Sequence, residues 1–244
     1  MSMPPVIEQS ARPILHWIEL EPNTPIFTQL QLEEALLRTD DRNFCIVNQG
    51  SPKSIVMGIS GEIATLINTE KVKAETIPII KRFSGGGTVI VDENTLFITF
   101  IIQKKDLAIP SFPEPIMRWS ADLYASAWGI PGFQLRENDY CIGAQKCGGN
   151  AQYIRKERWL HHTSFLWDYE DANMEALLLP PKRPSYRSDR SHRDFLCRLK
   201  RYGRTPEERL KQLRQTLVQQ FCLEPFNLSA WEQKPHRQST SFVF

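Results

Sequence analysis

Three stretches of the chain concentrate residues able to do chemistry. The first is Arg82-Phe83-Ser84-Gly85-Gly86-Gly87-Thr88-Val89. Consecutive glycines let the backbone approach a ligand closely and can point successive N–H groups at an anion. Arg82 offers a planar fork that grips a carboxylate or phosphate through two parallel hydrogen bonds. A plain hairpin turn would use the same glycines. The stretch is neither a Walker loop, which ends in Gly-Lys-Ser/Thr, nor the Gly-x-Gly-x-x-Gly of dinucleotide folds. The second runs from Asn138 and Asp139 through Lys146 to Gly148, Gly149, Asn150, Ala151 and Gln152. Here one lysine stands between two glycine-bearing turns. A cation so held suits the neutralisation of a phosphate or of charge developing in a transition state; a solvated lysine on a hairpin is the plainer reading. The third is His161-His162-Thr163-Ser164, where paired histidines more often orient a loop than catalyse.

These stretches need strands and helices to hold them. A strand is expected over 14–20, then a helix capped by Thr24 with Pro25 at its first position and Phe27, Leu30, Ala35 and Leu36 on one face. Short strands are expected over 44–47, 54–57, 79–82, 88–91 and 96–102, with a short helix over 68–74. The 96–102 segment is rich in β-branched and aromatic residues, as a central buried strand would be. A second long helix should span 113–128, with Ile116, Trp119, Leu123 and Ala127 inward and Gly129 stopping it. Further strands are expected over 133–136, 139–142, 145–147 and 162–167. Beyond them a short helix over 192–199 precedes the capping-box start Thr205-Pro206-Glu207-Glu208, whose helix is lined by Leu210, Leu213, Leu217 and Phe221. The tail from Trp231 is polar and expected to be loose until its last apolar residues. Strands alternating with segregated helices indicate an α+β fold with a mixed, largely antiparallel sheet flanked by helices. We divide the chain into a catalytic domain over 1–180 and a basic, helical C-terminal extension over 181–244 packed on it.

Bulk properties narrow the function classes. The chain has 244 residues, is 41% hydrophobic and 24% charged, and so can build a sizeable core. A formal net charge of +2 is too small to imply a nucleic-acid partner. The 182–204 segment does gather nine Lys/Arg against Asp189 and Asp194. Such a run is usually a solvated face; our expectation is that it meets an acidic acceptor domain and steers encounter by charge. Five cysteines, an odd number with no Cys-x-x-Cys pair, speak against a disulfide framework and against a protein-held metal. No apolar run is long enough to span a bilayer, and the first residues read as neither a secretory signal nor a transit peptide. A cytoplasmic protein without a membrane partner is expected, or an organellar one if a targeting segment is missing.

In this order the three stretches resemble the lipoate–protein ligase A family, of the biotin/lipoate ligase superfamily. The family carries Arg-Arg-x-Ser-Gly-Gly-Gly-x-Val-x-His-Asp…Gly-Asn, then Asn-Asp-Leu…Gly-x-Lys-x-x-Gly-x-Ala, then His-His-Gly-Thr-Leu-Leu. The resemblance covers the chain from Leu32 to Asp168. It implies an ATP-dependent ligase that converts lipoate to lipoyl-AMP and passes the acyl group to a lysine of an acceptor lipoyl domain, of the E2-subunit or glycine-cleavage H-protein type. Magnesium would arrive with ATP, held by phosphates and water. The resemblance casts Lys146 as the catalytic residue, against the reacting carboxyl and the α-phosphate. Arg82, Ser84, Gly85, Gly86, Gly87, Asn94, Asn138, Asp139, Gly149, Asn150, Ala151 and His162 would bind the acyl-adenylate. A monomer is expected.

Departures from the pattern fall at named positions. Val91 stands where the family has His before Asp, Lys81 replaces the first paired arginine, Glu93 precedes Asn94 in place of glycine, and Thr163 follows the histidines in place of glycine. The segment after Pro180 does not resemble the family's accessory domain. Three alternatives therefore stand beside the ligase. A lipoyl or octanoyl transferase would act from a carrier protein through a cysteine thioester, with Cys141 and Cys147 flanking the site but no cysteine after the histidines. A biotin ligase would need a Gly-Arg-Gly-Arg turn that this chain lacks. A non-catalytic lipoate- or adenylate-binding module would suit the changes at Val91 and Thr163.

Overall fold

The computed structural model describes residues 12–180 and 184–243. Its chain order is β1 (Ile14–Glu19), α1 (Ile26–Thr39), β2 (Asn43–Gln49), β3 (Ser54–Met57), α2 (Ile63–Leu66), α3 (Thr69–Glu75), β4 (Ile79–Lys81), β5 (Val89–Val91), β6 (Thr95–Gln103) and α4 (Pro113–Trp128). There follow β7 (Phe133–Arg136), β8 (Asp139–Ile142), β9 (Gln145–Ile154), β10 (Arg158–Leu166), α5 (His192–Phe195), α6 (Pro206–Leu217), β11 (Cys222–Pro225) and β12 (Ser241–Phe242). Eight strands form one sheet in the order β11-β1-β2-β6-β10-β9-β8-β7, and four form a second in the order β12-β4-β3-β5. Only the β1–β11, β1–β2 and β3–β4 pairs are parallel. The fold is α+β with mostly antiparallel strands, as the sequence indicates.

The large sheet is built around β6. All nine of its residues are buried, between β2 and β10, and each buried Phe or Ile there contributes about 1.5–3 kcal/mol. On one face α4 packs Ile116, Trp119, Leu123 and Ala127 against Phe100, Trp159 and Phe165, beside Leu210, Leu213 and Leu217 of α6. On the other face α1 packs Leu36 and Leu37 against Phe44, Ile46 and Ile101, and Ile26 and Leu30 against Val56 and Ile80 of the small sheet. The apolar spacing of these helices predicted their inward faces.

Several elements differ from the sequence reading. Pro25, not Thr24, is the N-cap of α1, because the Thr24 hydroxyl donates instead to the Glu21 carbonyl at 2.6 Å. Strand β9 runs on to Ile154, since β10 pairs it from Gly148 to Ile154. The helix expected over 192–199 stops at Phe195, and a 3-10 turn at Leu199–Tyr202 follows. The tail has no regular structure from Trp231 to Thr240, but it is anchored a little before its last apolar residues. Glu34, 1% exposed, accepts from the backbone N–H groups of Ser239 and Thr240 at 2.9–3.1 Å. β12 then joins β4, and Phe242 stacks on Phe27 at 4.1 Å.

The basic segment also departs from a solvated face. Arg187 is 4% exposed, with its guanidinium 4.6 Å from the Phe195 ring centroid. Arg190 donates to the carbonyls of Ala144 and Tyr186 at 2.9 and 2.6 Å. Arg198 and Lys200 share Asp168. These residues hold the segment to the body of the protein, so Arg187 does not face a partner, whereas Arg193, Arg201 and Arg204 are exposed. Lys182 and Arg183 lie outside the described residues.

Candidate functional site

The site lysine is aimed by an irregularity. In the β8–β9 pair, Asp139 lies opposite Gly149 and Tyr140 opposite Gly148, but Cys141 lies opposite Lys146. One residue of β9 is therefore extra, which is a β-bulge at Cys147. Cys147 and Gly148 both turn to the α4 side, where Cys147 is fully buried and a side chain at 148 would strike the Phe165 ring. Lys146 is thereby placed on the opposite face with Gly149, where simple alternation would have put it on the core side. Its chain lies over Gly149: a Cβ there would stand 3.2 Å from Nζ and 3.4 Å from Cε. Nζ pairs with Asp139 Oδ1 at 2.7 Å, the lysine side chain being 22% and the aspartate 11% exposed.

Residues opposite one another in the ladder extend this face. Ala151 pairs with His162, and His162 with Thr99. The His162 Nδ1 meets Glu33 Oε1 at 2.9 Å and Thr99 Oγ1 at 3.0 Å. Gln29 and Thr99 also donate to that carboxylate oxygen, at 2.8 and 2.7 Å, while Glu33 Oε2 is buried with no hydrogen-bond partner. The neighbouring His161 points to the α4 side, where Tyr140, Ser120 and Gln152 surround it at 2.7–3.1 Å. Burial pushes His161 down to about 3, so its imidazole is neutral. The two histidines thus serve different faces, and only His162 belongs to the site face.

The glycine turn meets β9 beyond the end of β8. The β8 ladder stops at Gly149, and the Gly85 N–H donates to the free Gln152 carbonyl at 3.3 Å. Gly86 lies against Asn150 and Ala151 and has φ +116°, and a Cβ there would stand 2.6 Å from Arg82 Nη2. Only glycine fits that position. The Arg82 guanidinium, 4% exposed, donates to the carbonyls of Val56, Gly85 and Gly87 at 2.8–3.3 Å. Burial lowers its pKa to about 10, which leaves it charged at neutral pH. Its Nε and the Ser84 hydroxyl are buried without partners.

The structure therefore brings together Arg82, Ser84, Gly85, Gly86 and Gly87 with Asn150 and Ala151, and Lys146 with Asp139 and Gly149. Asn138 is exposed in the β7–β8 turn, and its carbonyl accepts from Asn150 Nδ2 at 2.7 Å. Asn94 lies in the β5–β6 turn, where its N–H meets Asp92 Oδ1 and its carbonyl accepts from Asp168 N–H. The first contact lies within that turn, and the second joins it to the residues after β10. Val91 is a core residue packed with Val56, Ile80 and Phe97, and Thr163 is buried under the Tyr124 hydroxyl. Two participants escape motif reading. Glu33 sits mid-helix, and Tyr186 lies 47 residues beyond Asp139, to whose Oδ2 its hydroxyl donates at 2.8 Å.

The thiols beside the lysine are poor nucleophiles. Burial pushes Cys141 up to about 11 and raises Cys147 as well. Cys197 is moved down by the hydrogen bond Cys147 gives it, but it is 1% exposed beneath the lysine strand. Among the described residues no cluster of three or more His, Cys, Asp or Glu is placed to hold a metal, and no helix is long and apolar enough to cross a membrane. An open pocket of about 470 Å³ by His16, Arg42, Phe226 and Trp231 holds none of these residues.

Comparison with known proteins places the fold and the family. Residues 25–222 match the sequence model of the lipoyl protein ligase A/B catalytic domain. The chain is 30% identical over 246 aligned positions to a protein of Plasmodium falciparum named inactive lipoate–protein ligase 2, covering 77% of this chain and 64% of that one. The chain thus spans under two thirds of that relative's length. A solved lipoate–protein ligase A bound with ATP superposes with a TM-score of 0.70 at 18% identity, over 89% of this chain and 90% of that one. A bi-partite archaeal lipoate protein ligase studied with its E2 lipoyl domain, from Thermoplasma acidophilum, superposes with a TM-score of 0.68 at 20% identity, over 89% and 88%. The matched span takes in the glycine turn, the bulged lysine strand and the histidine strand, and the chain belongs to the lipoyl protein ligase A/B catalytic domain family.

Proposed function

We propose that the chain is an ATP-dependent lipoate–protein ligase. A lipoate carboxylate oxygen attacks the α-phosphorus of ATP, and pyrophosphate leaves. The ε-amine of an acceptor lysine then attacks the acyl carbon of lipoyl-AMP, so that an amide forms, AMP leaves and one proton is released. Solved relatives described with ATP and with an E2 lipoyl domain support these substrates and a lipoyl-domain acceptor. The single observation that carries the reading is the bulge that turns Lys146 onto the Gly149 face of β9, the strand to which Gly85 ties the glycine turn that Arg82 braces.

Lys146 supplies a point cation to both half-reactions, where charge grows first on the phosphate and then on the acyl oxygen. The Gly85–Gly87 backbone wraps the adenylate, and the buried, unpartnered Ser84 hydroxyl is a spare donor at the start of the turn. Asp139 has both oxygens engaged, by Lys146 and Tyr186, so the chain offers no free carboxylate there. That donor set fits Mg2+ carried by the ATP phosphates and water, where it would shield phosphate charge.

A second reading, a module that binds lipoate or its adenylate without transferring it, is favoured by the name of the Plasmodium relative and by Val91 and Thr163. One experiment separates the two. The protein is incubated with lipoate, Mg-ATP and an apo lipoyl domain, and acceptor mass and AMP are followed, with Lys146→Ala alongside. A lipoyl mass gain that needs ATP and falls on the order of 10²-fold or more in Lys146→Ala establishes the ligase. Adenylate without acceptor gain points to a missing partner subunit or the wrong acceptor, whereas lipoate binding with neither product establishes the binding module. Transfer from an acylated carrier that is lost in Cys141→Ser or Cys147→Ser would replace both with a transferase.

A further inference from the structure

We propose that Tyr186 is a positioning residue for Lys146, acting through Asp139; the assignment rests on the ligase reading. A lysine has a flexible four-carbon stem, and fixing its ammonium sacrifices rotamer freedom unless something else determines the place. Two contacts do so here. Gly149 leaves room below the chain, and Asp139 Oδ1 meets Nζ at 2.7 Å. A carboxylate turns readily about its last torsion, so a counter-ion holds a lysine in place only when its own second oxygen is held. The Tyr186 hydroxyl does this, donating to Asp139 Oδ2 at 2.8 Å. Its oxygen in turn accepts from the Cys141 thiol at 3.2 Å.

The phenol itself is fixed from four sides. Glu137 Oε1 accepts from the backbone N–H groups of Ser185 and Tyr186 at 2.8 and 3.4 Å. Arg190 bridges the Tyr186 carbonyl to that of Ala144, locking the segment to the hairpin that carries the lysine. The Arg136 guanidinium lies 4.6 Å from the Tyr186 ring centroid, and the Phe195 ring 5.3 Å away. Burial and the adjacent Asp139 both raise the phenol's pKa far above its ordinary value, so it remains a donor. The arrangement follows the logic by which an outer carboxylate orients a reacting side chain, here with a tyrosine as the outermost member. It also gives one cation of the basic segment a role: Arg190 holds Tyr186 behind the site lysine.

The test uses the full chain and Tyr186→Phe, which keeps the ring and its stacking and removes only the hydroxyl. Two readouts are taken. The first is the rate at which an amine-acylating reagent labels Lys146 relative to the exposed Lys156, measured by mass spectrometry. In Tyr186→Phe the relative labelling of Lys146 should change by roughly 3-fold or more, as expected for loss of a hydrogen bond to a charged group. The second is lipoyl-AMP formation, where kcat should fall about 10-fold with KM for lipoate and ATP within about 2-fold. In an Asp139→Asn background the same change should add nothing further. Unchanged labelling of Lys146, or a full independent loss in the Asp139→Asn background, overturns the assignment. A wild type that makes neither adenylate nor lipoylated acceptor removes the ligase reading instead, and the labelling then decides the place of Tyr186 alone.

Discussion

Lys146 crosses Gly149 so closely that a methyl group at 149 would stand 3.2 Å from the ammonium nitrogen. The backbone at 149 lies outside the left-handed region, so alanine is conformationally acceptable there. Gly149→Ala is expected to leave stability unchanged or raise it by about 0.5 kcal/mol through the unfolded chain, while displacing the lysine by a few tenths of an ångström. Lipoyl-AMP formation should fall about 10-fold. Denaturant unfolding measured beside adenylate formation checks the split: a parallel loss of both would show a folding defect instead.

Gly86 presents the opposite case. Its φ of +116° and the 2.6 Å approach of Arg82 Nη2 to a Cβ leave alanine no relaxed solution. Gly86→Ala should destabilise the protein by about 1–3 kcal/mol. It should also free the Gly85 amide from Gln152. Urea unfolding gives the first quantity, and amide exchange at Gly85 the second.

Glu34 makes the tail's attachment pH-dependent. Burial alone would raise this carboxyl, but the Ser239 and Thr240 amides and Arg38 hold it below the ordinary 4.5. A depressed carboxyl contributes stability above its unfolded pKa and loses it as pH falls through the folded one. The amide of Val243, which donates to the Ile79 carbonyl, should therefore exchange faster only below about pH 4.5. In Glu34→Gln it should exchange fast at neutral pH too.

Two histidines, the buried His161 and the half-buried His192, act higher on the pH scale. His161 is lowered to about 3 and His192 to about 4, burial being the main cause in each. Both are neutral in the fold but take up protons when unfolded below about 6.5. Stability should be full above pH 6.5 and decline as pH falls towards 4, with His161 adding a slope of up to about 1.4 kcal/mol per pH unit. Urea midpoints at several pH values in wild type and His161→Gln would show the slope reduced by up to one proton.

Much of this fold is legible in the sequence because apolar spacing reports burial. The inward faces of α4 and α6, and the position of β6 at the sheet's centre, follow from it directly. Strand ends were less legible, since β9 lengthens only because β10 lies beside it. The glycine turn and Lys146 carry local signals, as Gly-Gly-Gly and an isolated cation between glycines. The bulge that aims Lys146 has no such signal: Cys147 and Gly148 read as ordinary alternation until the register with β8 is known. Glu33 and Tyr186 were hidden for a related reason, because the site residues they meet, His162 and Asp139, lie in other segments. Arg187, Arg190 and Arg198 misled for the converse reason, since a charge run reads as solvent-facing whether or not its partners lie elsewhere.

β1 is covered on its outer side only by β11, a strand 208 residues further along, from Ile14 to Cys222. At a synthesis rate of roughly 5–20 residues per second, that edge waits on the order of 10 to 40 s for its neighbour to be made. During that time an extended segment ending in Trp17 and Ile18 presents unpaired backbone to any other strand. The protein's exposure to misassembly is thus set less by its site than by delay: the sheet's first strand is sealed by a strand made 208 residues later.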